Sequence, residues 1–280
     1  MGKHVKLHQQ KGFTLVELIT VIIVLGVVSI GVTSFIRSGV QIFNDVSERD
    51  ELLSKSRFVL ERLNRELRSA VPNSARVAEA NGSQCIKFVP TAWATYYTRL
   101  PIVPSTERTV NTVELGDINS QFSLASGDMA VVYPTDSDDV FDVGRQKRRS
   151  ILSCTDSGDG NCGSNDSPEH LATLTVDGAF ADISPASRLY IVRNAVSYCV
   201  RGGSMFRHQT SIGQTQTVFG AGGTLMAENI INDLSVSAQL PFTIQNATLN
   251  RNSLIQILLA FELNDETINL SSDIHVPNVP

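Results

Sequence analysis

The sequence predicts an α+β fold in which one long N-terminal helix precedes an antiparallel β-rich domain. Three observations predict it. Residues 13–35 form an almost unbroken apolar run, residues 37–70 keep a helical but amphipathic pattern, and from residue 83 onward strand-like runs dominate with no second long helix. The chain has 280 residues, 42% hydrophobic and 18% charged, which is enough apolar material for a sizeable core. A net charge of -5 gives no general attraction for nucleic acid, and none is expected as a partner.

The first element is a basic leader, residues 1–12. It carries Lys3, Lys6 and Lys11 and no acid, which leaves -8 on the remainder. The apolar run from Phe13 to Phe35 holds a single charge, Glu17. As a helix its 23 residues would be about 34 Å long, enough to cross a hydrocarbon core of roughly 30 Å. Lysines before it and an acidic domain after it set the N-terminus on the cytoplasmic side. An ordinary secretory signal puts its small-residue cleavage site after the apolar core, so the helix is discarded. Here the best processing feature, Gly12, comes before the run, and cleavage there would keep the helix. Glu17 needs a reason of its own, because a carboxylate costs about 2.5–3.5 kcal/mol at the centre of a membrane helix and less near an end. Gly26, Gly31 and Gly39 offer close approach between helices.

From Arg37 to Ala70 the apolar residues Phe43, Val46, Leu53, Leu60, Leu63 and Leu67 recur at helical spacings. Glu61 and Arg65 stand four apart on the polar side. No proline occurs between Phe13 and Val71, and Pro72 with Asn73 is the stop signal. The expected division is therefore 1–12 leader, 13–71 helix with 13–35 in the membrane, and 72–280 β-rich domain. Strand candidates are Cys85–Val89, Met129–Tyr133, Leu171–Val176, Leu189–Val192, Val196–Arg201, Met205–Gln209, Leu234–Leu240 and Leu254–Leu263. Gly202-Gly203 reads as a hairpin turn. Residues 110–122 are too polar to assign, and 134–168, rich in Asp, Ser and Gly, reads as one long exposed loop.

The four cysteines, Cys85, Cys154, Cys162 and Cys199, all follow the apolar run, which fits an oxidising compartment. Three pairings are possible. Local closure of Cys154 with Cys162 is the preferred one, leaving Cys85 for Cys199. Between the local pair, Asp156, Asp159 and Asn161 are weak candidates for Ca²⁺ oxygens, although the spacing is not that of an EF-hand. Gly158-Asp-Gly160-Asn-Cys-Gly163 satisfies G-x-G-x-x-G without the strand–helix setting that nucleotide binding needs. Arg145, Lys147, Arg148 and Arg149, close behind Asp136, Asp138, Asp139 and Asp142, read as a self-compensating solvated loop. His4, His8, His170, His208 and His275 show no metal-ligand spacing, and no H-E-x-x-H or G-x-S-x-G occurs. No catalytic residue, metal or cofactor is expected. Trp93, with Tyr96 and Tyr97 nearby, reads as packing.

Gly12-Phe13-Thr14-Leu15-Val16-Glu17, with its basic leader and following apolar helix, resembles the class III signal of type IV pilins and type II secretion pseudopilins. The resemblance implies a pilin-like fold, cleavage after Gly12 by prepilin peptidase, and N-methylation of Phe13. It further implies that Glu17 meets the new amine of a neighbouring subunit during assembly. Three later segments are similar to the MshO-type minor pilins of MSHA pili, themselves similar to PilW- and GspJ-type proteins: Arg-Leu-Asn-Arg-Glu-Leu-Arg-Ser-Ala-Val-Pro-Asn-Ser at 62–74, Ser-Tyr-Cys-Val at 197–200 and His-Val-Pro-Asn-Val-Pro at 275–280. That implies a low-abundance subunit that initiates or caps a pilus. Its partners would be minor and major pilins and the inner-membrane assembly platform. Its domain would be periplasmic and later carried at the pilus tip. A secretion pseudopilin, or a ligand-binding adhesin mounted on a pilin helix, are the alternative expectations.

Overall fold

The computed structural model describes residues 12–114, 124–156, 170–245, 253–264 and 266–276. One helix, α1 (Leu15–Arg68), comes first, and antiparallel strands follow it. The chain divides after Leu52 into two units.

In the first unit every described residue up to Glu51 is exposed, including the whole apolar run. By length and composition α1 can cross a membrane.

In the second unit the rest of α1 buries Ser56, Val59, Leu63 and Leu67, a stripe spaced by three and four residues. This differs from the expected stripe. Phe43 and Val46 are exposed, and Leu53 and Leu60 are only half-buried. Their seven-residue spacing lags the 3.6-residue turn, so they lie beside the central line of contact. On the polar side Arg62 pairs with Glu66 at 3.2 Å, and Glu66 also receives Arg207 at 3.1 Å, fastening the helix to a strand.

The strands form three groups. β1 (Arg76–Ala80), β2 (Ser83–Phe88), β9 (Ala195–Arg201), β10 (Ser204–Thr210) and β11 (Thr224–Ala227) make a five-stranded sheet in the order β1-β2-β9-β10-β11. Between β2 and β9 the chain departs to build a closed six-stranded barrel in the order β3-β4-β7-β6-β5-β8. Its strands are β3 (Thr91–Arg99), β4 (Thr109–Val113), β5 (Met129–Val131), β6 (Arg148–Asp156), β7 (Leu171–Val176) and β8 (Arg188–Val192). Tyr97, Val110, Ala130, Leu174, Phe180, Leu189 and Ile191 fill its interior. The third group is β12 (Phe242–Gln245), β13 (Ser253–Leu263) and β14 (Glu266–Val276). Gln84 ties it to the large sheet. Its side-chain amide donates to Phe242 O at 3.0 Å and accepts from Phe242 N at 2.9 Å, as a strand neighbour would. The expected Gly202-Gly203 turn joins β9 to β10, with both glycines at positive φ, 52° and 73°.

Three sequence expectations are corrected. The described part of 134–168 is no loop: it holds α2 (Ser137–Phe141), a 3-10 turn at Val143–Arg145 and β6. Asp136, read as loop polarity, caps α2, accepting from Asp138 N and Asp139 N, while Asp139 answers the cap in a capping box. The basic run is likewise only partly solvated, with Arg145 exposed. Lys147 and Arg148 are buried, Lys147 against Asp139 at 3.0 Å and Arg148 against Ile212 O at 3.0 Å. Finally, Leu234–Leu240 is irregular and contains only a 3-10 turn at Ser237–Gln239. Asp233 binds the backbone and hydroxyl of Ser235, and the Asn232 amide reaches Gln239 O and Leu258 O, so side chains take the place of a ladder.

A cluster of cations, two of them buried, holds the 212–222 segment. Arg76 donates to Gly213 O and Gln214 O, Lys87 to Gly213 O and Thr215 O, and Arg148 to Ile212 O. Arg76 also lies 3.8 Å from the centre of the Phe141 ring. Burial, with Arg76 and Arg148 close by, pushes Lys87 down to about 8 from 10.5. Between those two values the unfolded chain binds the proton and the folded chain does not, so this group's contribution to stability rises with pH across that window and is level below it. Denaturant unfolding from pH 7.5 to 10.5 should show that rise, and in Lys87→Met it should flatten.

Candidate functional site

The site begins where α1 begins. Thr14, just outside the helix, accepts a hydrogen bond through Oγ1 from Glu17 N at 3.4 Å, and its carbonyl accepts from Leu18 N at 3.2 Å. That is N-cap geometry, with Glu17 as the third helical residue of a Thr-x-x-Glu sequence. Glu17 is the acid of the first turn, next to the positive end of the helix dipole, a placement worth roughly 0.3–1 kcal/mol when exposed. The sequence reading gave Glu17 a role and missed that of Thr14, although the spacing of the pair was a readable capping signal.

The surroundings are open. Phe13 is 80% exposed and Leu15 75%. A Cβ built on Gly12 meets no atom within 4 Å, and the same is true of Gly26, Gly31 and Gly39. Among the described residues nothing requires glycine at position 12. The same argument covers the apolar side chains of the helix. Each Val, Leu or Ile taken fully out of water gains about 1.5–3 kcal/mol, and here that gain is left for a lipid or a neighbouring helix.

Residues 7–33 match the prokaryotic N-terminal methylation motif. The motif is a signal of the type IV pilin family, and it marks a type IV pilin-like or pseudopilin protein processed by prepilin peptidase. The matched segment contains Gly12, Phe13 and Glu17 together with the first part of α1. No curated protein and no solved structure matches the chain.

The remaining sequence candidates fall elsewhere. Cys85 and Cys199 form a disulfide between β2 and β9, where they face each other in register with Cα atoms 4.1 Å apart. Cys154 sits in β6 against the barrel core and is disulfide-bonded, while Cys162 lies outside the described residues. Asp156 ends β6; Asp159, Asn161 and the glycine-rich 158–163 segment also lie outside the described residues. Among the described residues no three His, Cys, Asp or Glu side chains gather as metal ligands would. Tyr97 is buried in the barrel, its hydroxyl accepting from Ser184 N at 2.7 Å and donating to Ser184 O at 3.2 Å, and Trp93 packs on the same core. A cavity of about 670 Å³ opens between β1 and β12, lined by Arg76, Val77, Glu79, Asp136, Thr243 and Ile244 among others. Its size is that of a small-molecule pocket.

Removing the cap should loosen only the first turn. Thr14→Val takes away the acceptor for Glu17 N, a change worth about 1 kcal/mol, so the amide of Glu17 should exchange about fivefold faster in micelles, with residues beyond Ile22 unchanged.

Proposed function

We propose that the chain is a minor pilin of an MSHA-like type IV pilus and that its work is assembly rather than catalysis. The observation that carries this reading is the methylation motif at 7–33, joined to a helix whose apolar surface is exposed among the described residues. Prepilin peptidase cuts after Gly12, and Phe13 becomes the methylated N-terminus. Before the cut the helix anchors the precursor in the inner membrane, with the leader in the cytoplasm and the β-rich domain in the periplasm. After the cut the helix leaves lipid for the hydrophobic centre of a filament, joining minor and major pilins at the assembly platform. The segments at 62–74, 197–200 and 275–280 support the MSHA-type assignment and a place at the initiating tip.

Glu17 gives this transfer its register. In the filament its carboxylate meets the new α-amine of Phe13 on the next subunit. A pair of opposite charges in an apolar surround is strongly disfavoured when one member is absent, so misaligned helices are rejected. In the unassembled chain the carboxylate sits at the helix start, where the dipole and the membrane interface tolerate it.

A secretion pseudopilin would use the same N-terminus, and deletion followed by assays of piliation and of exoprotein release separates the two. The cavity between β1 and β12 favours a second activity as a ligand-binding mount. Screening the intact chain against glycans and Ca²⁺ tests that reading.

Gly12→Val should block processing, leaving a methionine N-terminus by mass spectrometry in place of methylated Phe13. Pilus-associated protein that retained residues 1–12 would contradict the scheme. Glu17→Val should be cleaved normally yet appear in sheared pili at a tenth of the wild-type level or less, and wild-type incorporation would remove Glu17 from the assembly role.

A further inference from the structure

β13 is covered on one side by β12 and the 229–232 segment. Its even-numbered residues point that way: Leu258 N–H donates to Pro241 O, Ala260 N–H to Asn232 Oδ1 and Glu262 N–H to Asn229 O, each at 2.9 Å. Its odd-numbered residues therefore bond to β14. The register runs from Ser253↔Val276 to Leu263↔Glu266, so the even-numbered residues of β14 bond back to β13. Thr267, Asn269, Ser271, Asp273 and His275 turn their N–H and C=O groups to the open side. Among the described residues no strand lies beyond β14 and no backbone hydrogen bond reaches that side.

Among the described residues this edge lacks several of the usual protections. The ladder of eleven pairs runs without a register shift, so no bulge twists it away. Residues 253–276 include no proline, lysine or arginine. Apart from His275, every ionisable residue of β13 and β14 is an acid: Glu262, Glu266 and Asp273. On the inner face Ile268 and Leu270 are only half-buried, whereas Ile274 is fully covered. The barrel, by contrast, is closed and has no edge.

We propose that the free edge of β14 accepts an extended strand from a different polypeptide, with apolar residues at alternate positions and lysine or arginine at its ends. The main chain of the incoming strand pairs with the five open residues, and its apolar side chains cover Ile268 and Leu270. A basic end meets the exposed Asp273. A second copy of this chain is the poorer occupant, because it would bring the same acids, and no lysine or arginine, alongside the first edge. The inference does not depend on how the N-terminal helix is used.

The test uses the full chain in detergent micelles and two capped eleven-residue peptides of alternating valine and threonine, one ended by lysine and one by glutamate. The lysine-ended peptide should protect the amides of 267–275 from hydrogen exchange, and the glutamate-ended peptide should protect them less. Ser271→Pro removes an open-side N–H without touching a bond to β13, so the protection should be lost while the melting temperature stays within a few degrees. Asp273→Lys should reverse the preference between the two peptides. Absence of protection in the wild type, or equal protection in Ser271→Pro, would overturn the proposal. Self-association of the wild type through β14, abolished by the same proline, would overturn the choice of occupant.

Discussion

The pairing of β2 with β9 is the constraint on which the β-rich unit depends. The two strands lie in the middle of the five-stranded sheet, carry the Cys85–Cys199 bridge, and bring Phe88 parallel to Tyr198 at 6.3 Å. They also launch the barrel. β3 follows β2 after two residues and β8 precedes β9 by two, and β3 pairs with β8 just as β2 pairs with β9. One antiparallel ribbon thus serves both bodies, broken only around Pro90 and Arg193. Arg193 is itself held there by Asp128 at 2.6 Å. If β2 and β9 parted, the sheet under α1 and the entrance to the barrel would fail together.

Where a local signal was complete, it was legible in the sequence. The N-terminal helix was readable because an apolar run with no proline leaves few alternatives, and Leu171–Val176 because alternation and β-branching agree there. β3 and β14 were not readable. β14 exposes Thr267, Asn269, Ser271 and Asp273, and pairing with its hairpin neighbour β13 is what makes it a strand; β3 exposes Ala92, Ala94, Tyr96 and Thr98 and depends on β8, far away in sequence. The 134–156 stretch failed for a related reason. Aspartate suits turns and helix caps equally, and only the fold brings Lys147 to Asp139 and so decides between them. At the N-terminus the motif lies in one short stretch, which is why Gly12, Phe13 and Glu17 could be picked out while the buried cations could not.

Those cations give the sheet an unusual solution to a covering problem. The 212–222 segment has no ladder of its own, and side-chain donors hold several of its carbonyls instead. Arg76, Lys87, Arg148 and Arg201 supply the donors, Arg201 reaching Phe219 O and Gly222 O, while His208 stacks on Phe219 at 4.0 Å. Gly223 has to be glycine at this point, because a Cβ there would come within 2.6 Å of the His208 ring. Positive charge replaces strand pairing, and the lowered proton affinity of Lys87 is the physical trace of that exchange.

The barrel enters and leaves the sheet at neighbouring points, with Thr91 and Val192 opposite each other in one ladder. Everything between them is bounded by a single doorway, which the disulfide stands just outside. A different module spliced between residues 90 and 193 could leave the β2–β9 ribbon in place, but it would have to replace Arg148 on Ile212 O and Phe141 against Arg76. A change of shape disturbs the scaffold least around β4 and β7, which pair only with other barrel strands.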